Sequence, residues 1–116
     1  MYQTIKIMNL INDNIKQIIT LCEMYKVSNL FAFGSILTER FNANSDVDFV
    51  VNFKKNEIKD YFDNYFDLKY GLQDLLGREV DLVEEQTIKN PYLKENINTS
   101  KILIYNTSVN FTDKLG

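Results

Sequence analysis

Apolar residues recur at spacings of three and four between residues 5 and 26. Met8, Ile11, Ile15, Ile18, Cys22 and Tyr25 fall on one side of the amphipathic helix this predicts. Ser28-Asn29 reads as a turn. Leu30, Phe31, Ala32 and Phe33 form a continuous apolar run, as expected of a strand buried on both faces. Gly34-Ser35 breaks the run, a short helical turn is expected through Arg40, and residues 42–45 are a polar loop. Residues 46–53 then alternate with period two. Asp46, Asp48, Val50 and Asn52 share one face of a strand, and Val47, Phe49, Val51 and Phe53 share the other.

A second long helix is predicted over residues 56–76. Ile58, Tyr61, Phe62, Tyr65, Leu68, Leu72 and Leu75 line its apolar side, and Gly77 is placed to cap it. Residues 79–83 read as a third strand, with Asp81 pointing opposite to Val80 and Leu82. Asn90-Pro91 marks a turn or a helix start, and residues 101–105 read as a last strand. The order helix, strand, strand, helix, strand, helix, strand implies an α/β (α+β) fold, a mixed sheet of three to four strands flanked by helices. A single domain is expected over residues 1–105, followed by a polar tail over 106–116.

Composition narrows the chemistry. A chain of 116 residues suits one compact domain. No apolar run reaches the roughly 20 residues that span a bilayer, and the N-terminus lacks a signal-peptide pattern, so a cytoplasmic protein is expected. The chain contains no histidine and one cysteine. That removes Ser-His-Asp and Cys-His catalysis, disulfides, and zinc sites built from histidine and cysteine. Any metal must be held by oxygen, which points to Mg²⁺, Mn²⁺ or Ca²⁺. Cys22, on the apolar side of the first helix, reads as a small buried hydrophobe. With a net charge of −3 and eleven lysines against two arginines, the chain offers no basic stripe for nucleic acid.

Three aspartates and a Gly-Ser pair stand out against this background. Aspartates at i and i+2 on a strand point to one side, roughly 7 Å apart, and can converge on divalent ions. Two Mg²⁺ ions about 3.5–4 Å apart can bridge such carboxylates and a nucleoside triphosphate. Asp81, on a neighbouring strand, completes a set with Asp46 and Asp48, as metal ligand or as the base that takes an acceptor's proton. Gly34 lets the backbone approach a ligand closely. Ser35 opens a short helix whose N–H groups suit a phosphate. Held at both ends, a triphosphate would be open to in-line attack by an acceptor hydroxyl on its α-phosphate, with pyrophosphate leaving.

At these residues the chain resembles the nucleotidyltransferases with a DNA polymerase β-like palm fold, and among them the small "minimal nucleotidyltransferase" (MNT) group. Phe33-Gly34-Ser35, ten residues, then Asp46-Val47-Asp48-Phe49-Val50-Val51 matches the group's spacing and strand context. Arg78-Glu79-Val80-Asp81-Leu82-Val83 looks like the strand that carries its third aspartate. The resemblance covers roughly residues 8–105. It implies ATP or another nucleoside triphosphate as donor, Mg²⁺ as cofactor and a helical HEPN-type protein as partner in a toxin–antitoxin pair, the MNT member transferring AMP to the toxin. Relatives carry arginines just after Gly-Ser where this chain has Ile36, Leu37, Thr38 and Glu39; Arg40 is the candidate phosphate contact.

The departure motivates a second expectation, an antitoxin or regulatory module that acts by binding alone. Transfer to a small molecule ranks last, because no pocket-forming second domain is evident. The aromatic pairs Tyr61-Phe62 and Tyr65-Phe66 are too wide for one narrow stripe; they read as core with exposed neighbours, or as a partner or homo-oligomer surface. Lys54-Lys55 reads as a solvated loop or as a pair that steers a triphosphate, and Glu84-Glu85 as a helix-entry pair.

Overall fold

A computed structural model describes residues 10–34 and 45–107. Residues 10–13 are helical and are followed, after an interruption at Asn14, by helix α1 (Ile15–Met24). The Asn14 side chain donates to the Leu10 carbonyl at 2.8 Å. Such a short amide competes with the backbone ladder, which is why the predicted continuous helix breaks there.

The chain then runs through strands β1 (Val27–Phe33) and β2 (Val47–Phe53), helix α2 (Tyr61–Leu76), strand β3 (Val80–Glu84), helix α3 (Pro91–Ser100) and strand β4 (Ile102–Asn106). The strands form one mixed sheet in the order β3-β2-β1-β4. β1 is antiparallel to β2 and β4, and β2 is parallel to β3. The predicted fold class and element order hold.

Local chemistry sets the boundaries. Asp60 caps α2 by accepting from the Asp63 amide at 3.1 Å, so the helix starts later than residue 56, after a short 3₁₀ turn at Lys55–Glu57. Gly77 ends it in the left-handed region (φ 68°), its N–H bonding the Gln73 carbonyl, as the sequence predicts. β1 starts at Val27 and not after a turn at Ser28-Asn29. The turn lies earlier: Lys26 takes a positive φ of 59°, its carbonyl accepts from the Lys54 amide, and Val27 is fully buried.

Asn90 caps α3 by accepting from the amides of Tyr92 and Leu93, with Pro91 in the first turn. Ile97 is the one buried residue of this helix, so the cap carries an unusual share of its stability. Asn90→Ala is expected to cost about 1 kcal/mol, measurable as a lowered midpoint in urea unfolding.

One face of the sheet builds the core. Leu30 and Ala32 of β1, Val47, Phe49 and Val51 of β2, and Val80 and Leu82 of β3 pack with Ile18 and Cys22 of α1 and with Leu68, Leu72 and Leu76 of α2. Burial pushes the Cys22 thiol up to about 12, with help from the neighbouring Glu23 charge, which fits an inert core residue. Phe62, expected on the apolar side of α2, is instead 68% exposed. No helix among the described residues is long and apolar enough to cross a membrane.

Candidate active site

β2 presents Asp48 on the face opposite the core, because Val47 and Phe49 on either side of it are fully buried. Asp48 stands opposite Phe33 on β1 and in register with Asp81 on β3. Adjacent strands lie about 4.8 Å apart, so the two carboxylates come from neighbouring rungs of one sheet face. Asp81 is exposed between buried Val80 and Leu82, the alternation predicted for it. Asp46 precedes β2 and is exposed. The sheet therefore brings together Asp48 and Asp81, with Asp46 at the entrance to the same strand. Among the described residues, no three acidic side chains already converge into a metal-binding cluster.

Gly34 ends β1 beside this pair with φ 79°. A Cβ there would stand 2.5 Å from Asp48 Oδ2, closer than real side chains come, and 3.3 Å from its Cγ, a tight contact. The absent side chain is what leaves the Asp48 carboxylate its place against the backbone. Ser35 and Arg40, the predicted phosphate contacts, lie outside the described residues.

Two contributions were not evident from the sequence. Arg78, just ahead of β3, donates from Nη1 to the Ser45 carbonyl at 3.2 Å and so ties the segment before Asp46 to the segment before Asp81. The Val47 amide bonds the Glu79 carbonyl at 3.0 Å and joins the same two segments. Neither contact has a sequence signal, since both depend on β2 and β3 being neighbours.

Farther along the Asp48 face lies a polar ring. Asn52 Nδ2 donates to Asn29 Oδ1 and to Glu85 Oε1, both at 2.8 Å. Lys101 Nζ lies 3.4 Å from Glu85 Oε2 and 4.2 Å from the centroid of the Phe31 ring. Glu85 thus bonds across the sheet, and Glu84 pairs with Lys55 at 2.7 Å and accepts from the Tyr61 hydroxyl. Both also stand at a helix entry, as expected: Glu84 is the N-cap position and Glu85 the first residue of a short 3₁₀ turn, Glu85–Thr87. Lys55 is held by Glu84 and by the Tyr61 ring.

The Asn52 hydrogen bond first, and the Lys101 charge after it, hold the Glu85 carboxyl below its ordinary value of 4.5. A carboxyl lowered in the folded state adds stability above the unfolded value and loses it as pH falls through the folded value. Glu85→Gln is therefore expected to flatten the decline in stability below about pH 4.5, read from urea midpoints taken at successive pH values.

A cleft of about 350 Å³ lies along the β3 edge, lined by Tyr61, Tyr65, Leu82, Val83, Glu84 and Thr87. It includes none of the three aspartates. Tyr65 donates to the Leu82 carbonyl, and burial, then the charges of Asp81 and Glu84, hold its hydroxyl above the ordinary range. This cleft is closed chemistry, its hydroxyls already engaged.

The oxygen-only donor set, with the lone cysteine buried away in the core, fits a hard divalent cation.

Comparison with known proteins meets this geometry from outside. A family model for the nucleotidyltransferase domain matches residues 15–104. MJ0128 of Methanocaldococcus jannaschii, named as a protein adenylyltransferase, is 42% identical over 82 residues, which are 71% of this chain and 81% of that protein. A solved structure described as a minimal nucleotidyltransferase superposes with a TM-score of 0.65 at 26% identity, over 79% of this chain and 90% of the other. The fold also matches, at a TM-score of 0.58 and 24% identity over 90% of this chain and 77% of the other, a structure described as a tri-AMPylated Shewanella oneidensis HEPN toxin in complex with MNT antitoxin. The paired strands that carry Asp48 and Asp81 lie inside the matched region, and the chain belongs to the nucleotidyltransferase family, as one of its minimal members.

Proposed function

We propose that this nucleotidyltransferase moves AMP from ATP to a hydroxyl of a partner protein, a helical HEPN-type toxin, and so serves as its antitoxin. The observation that carries the reading is the register pair Asp48–Asp81 with Gly34 against it. Support for AMP and for a protein acceptor comes from the relative named as a protein adenylyltransferase and from the AMPylated toxin bound to an MNT antitoxin.

Asp48, Asp81 and Asp46 would hold Mg²⁺. The ion supplies Lewis-acid charge that offsets the negative charge of the triphosphate. Gly34 keeps the Asp48 carboxylate in place and lets the backbone come near the phosphates; Ser35 and Arg40 would add donors to them. Asp81, the more exposed of the pair, is the candidate to accept the proton of the acceptor hydroxyl.

Isothermal titration with a non-hydrolysable ATP analogue in Mg²⁺ tests the nucleotide half of the reading. The wild type is expected to bind, and the variant with both Asp48→Asn and Asp81→Asn to bind at least about tenfold more weakly. Equal binding by the two proteins would contradict the assignment. A second reading, neutralisation by binding alone, is favoured by Ile36, Leu37, Thr38 and Glu39 where arginines are expected. It predicts that the double variant still neutralises the toxin.

A further inference from the structure

Helix α2 carries an aromatic row that the core does not use. Phe62, Phe66 and Tyr70 recur every four residues, on the side of the helix away from Leu68 and Leu72. Their rings touch in sequence, with centroids 4.7 and 5.8 Å apart. Phe62 is 68% and Tyr70 53% exposed. At about 1.5 Å per residue the row runs about 12 Å along the axis. Contiguous exposed rings of this kind mark contact surfaces on soluble proteins.

One flank of the row is acidic. At about 100° per residue, Asp63, Asp67 and Asp74 line up immediately beside the rings, and all three are exposed. Lys69 is the helix's one basic residue. The Asp63 carboxyl is held above its ordinary value, first by the Asp60 charge and also by Asp67, so negative charge is already crowded there.

The charge selects the occupant. A second copy of this chain, itself at −3, would gather like charges around the rings. A four-residue repeat of rings matches the apolar spacing of a facing helix. We propose that this face docks a basic amphipathic helix of a protein partner, whose apolar side chains cover Phe62, Phe66 and Tyr70 and whose lysines or arginines face Asp63, Asp67 and Asp74. The inference rests on the reading above only in taking the acceptor protein as the natural owner of that helix.

The probe is a synthetic helical peptide of leucine and lysine with leucines at the facing positions, compared with the same peptide carrying glutamate for lysine. Amide shifts of the full-length protein report where each binds. The lysine peptide is expected to bind and to shift resonances within residues 62–74. Its affinity should fall at least about tenfold in Phe62→Ser with Tyr70→Ser, and likewise in Asp63→Lys with Asp67→Lys, which should gain affinity for the glutamate peptide. These side chains are exposed, and circular dichroism checks that both variants fold. Equal binding of the two peptides, shifts confined to other elements, or a self-association of the wild type that the Phe62→Ser, Tyr70→Ser variant abolishes would overturn the proposal. Titration of the ATP analogue into the same variants should give wild-type affinity. The nucleotide reading and the docking face therefore fail separately.

Discussion

Asp48→Asn is expected to lower nucleotidyl transfer by about a hundred- to a thousandfold while leaving the fold intact, the scale set by loss of one preorganised charge-stabilising group. The substitution keeps the shape of the side chain and removes its charge. Asp48 sits on a central strand, between Phe33 on one neighbour and Asp81 on the other. Its flanking residues Val47 and Phe49 anchor the strand in the core, so the backbone at Asp48 is held without help from the carboxylate. Thermal unfolding within about a degree of wild type, together with the loss of rate, separates a chemical role from a structural one. Comparable activity in the variant would remove Asp48 from the site.

Gly34→Ala is expected to be nearly as damaging to transfer, for a different reason. Two costs arise. The left-handed backbone (φ 79°) penalises any Cβ by about 1–2 kcal/mol. The new Cβ also meets Asp48 Oδ2 at 2.5 Å. The carboxylate can rotate away, so the clash is relieved at the expense of the site and not of the fold. A displacement near 1 Å costs catalysis about a hundredfold. Gly77→Ala provides the control. Gly77 has the same handedness (φ 68°) but nothing within 4 Å of the position a Cβ would take. The two variants should lose similar stability in urea unfolding, and only Gly34→Ala should lose transfer. Equal rates for both would mean that the Asp48 contact is irrelevant to the reaction.

The fold class and the aspartate strand were legible because both follow from short-range periodicity. Asp46, Val47, Asp48 and Phe49 announce a strand with one polar and one apolar side, and Val80, Asp81 and Leu82 repeat the pattern on its neighbour. Gly77 was legible as a cap because a glycine after an amphipathic run has few other uses. The start of β1 was not, since Lys26 adopts a positive φ that lysine rarely takes and that tertiary contacts impose. Phe62 was placed on the apolar side of its helix because helical periodicity ranks residues by hydrophobicity and cannot tell a wide buried stripe from a buried stripe beside an exposed one. Glu84 and Glu85 were legible as a helix entry, but their cross-sheet partners were not, because Lys55, Tyr61, Asn52 and Lys101 lie between 16 and 33 residues away. Arg78 escaped for the same reason; its hydrogen bond reaches across 33 residues to Ser45.

The most direct test of the central claim compares α-labelled with γ-labelled ATP in the presence of Mg²⁺ and a HEPN-type partner protein. Nucleotidyl transfer predicts that the partner acquires label from the α position only, with release of pyrophosphate and a mass increase of one AMP per modified hydroxyl. Label arriving from the γ position, or no label from either with the wild-type protein, would contradict it.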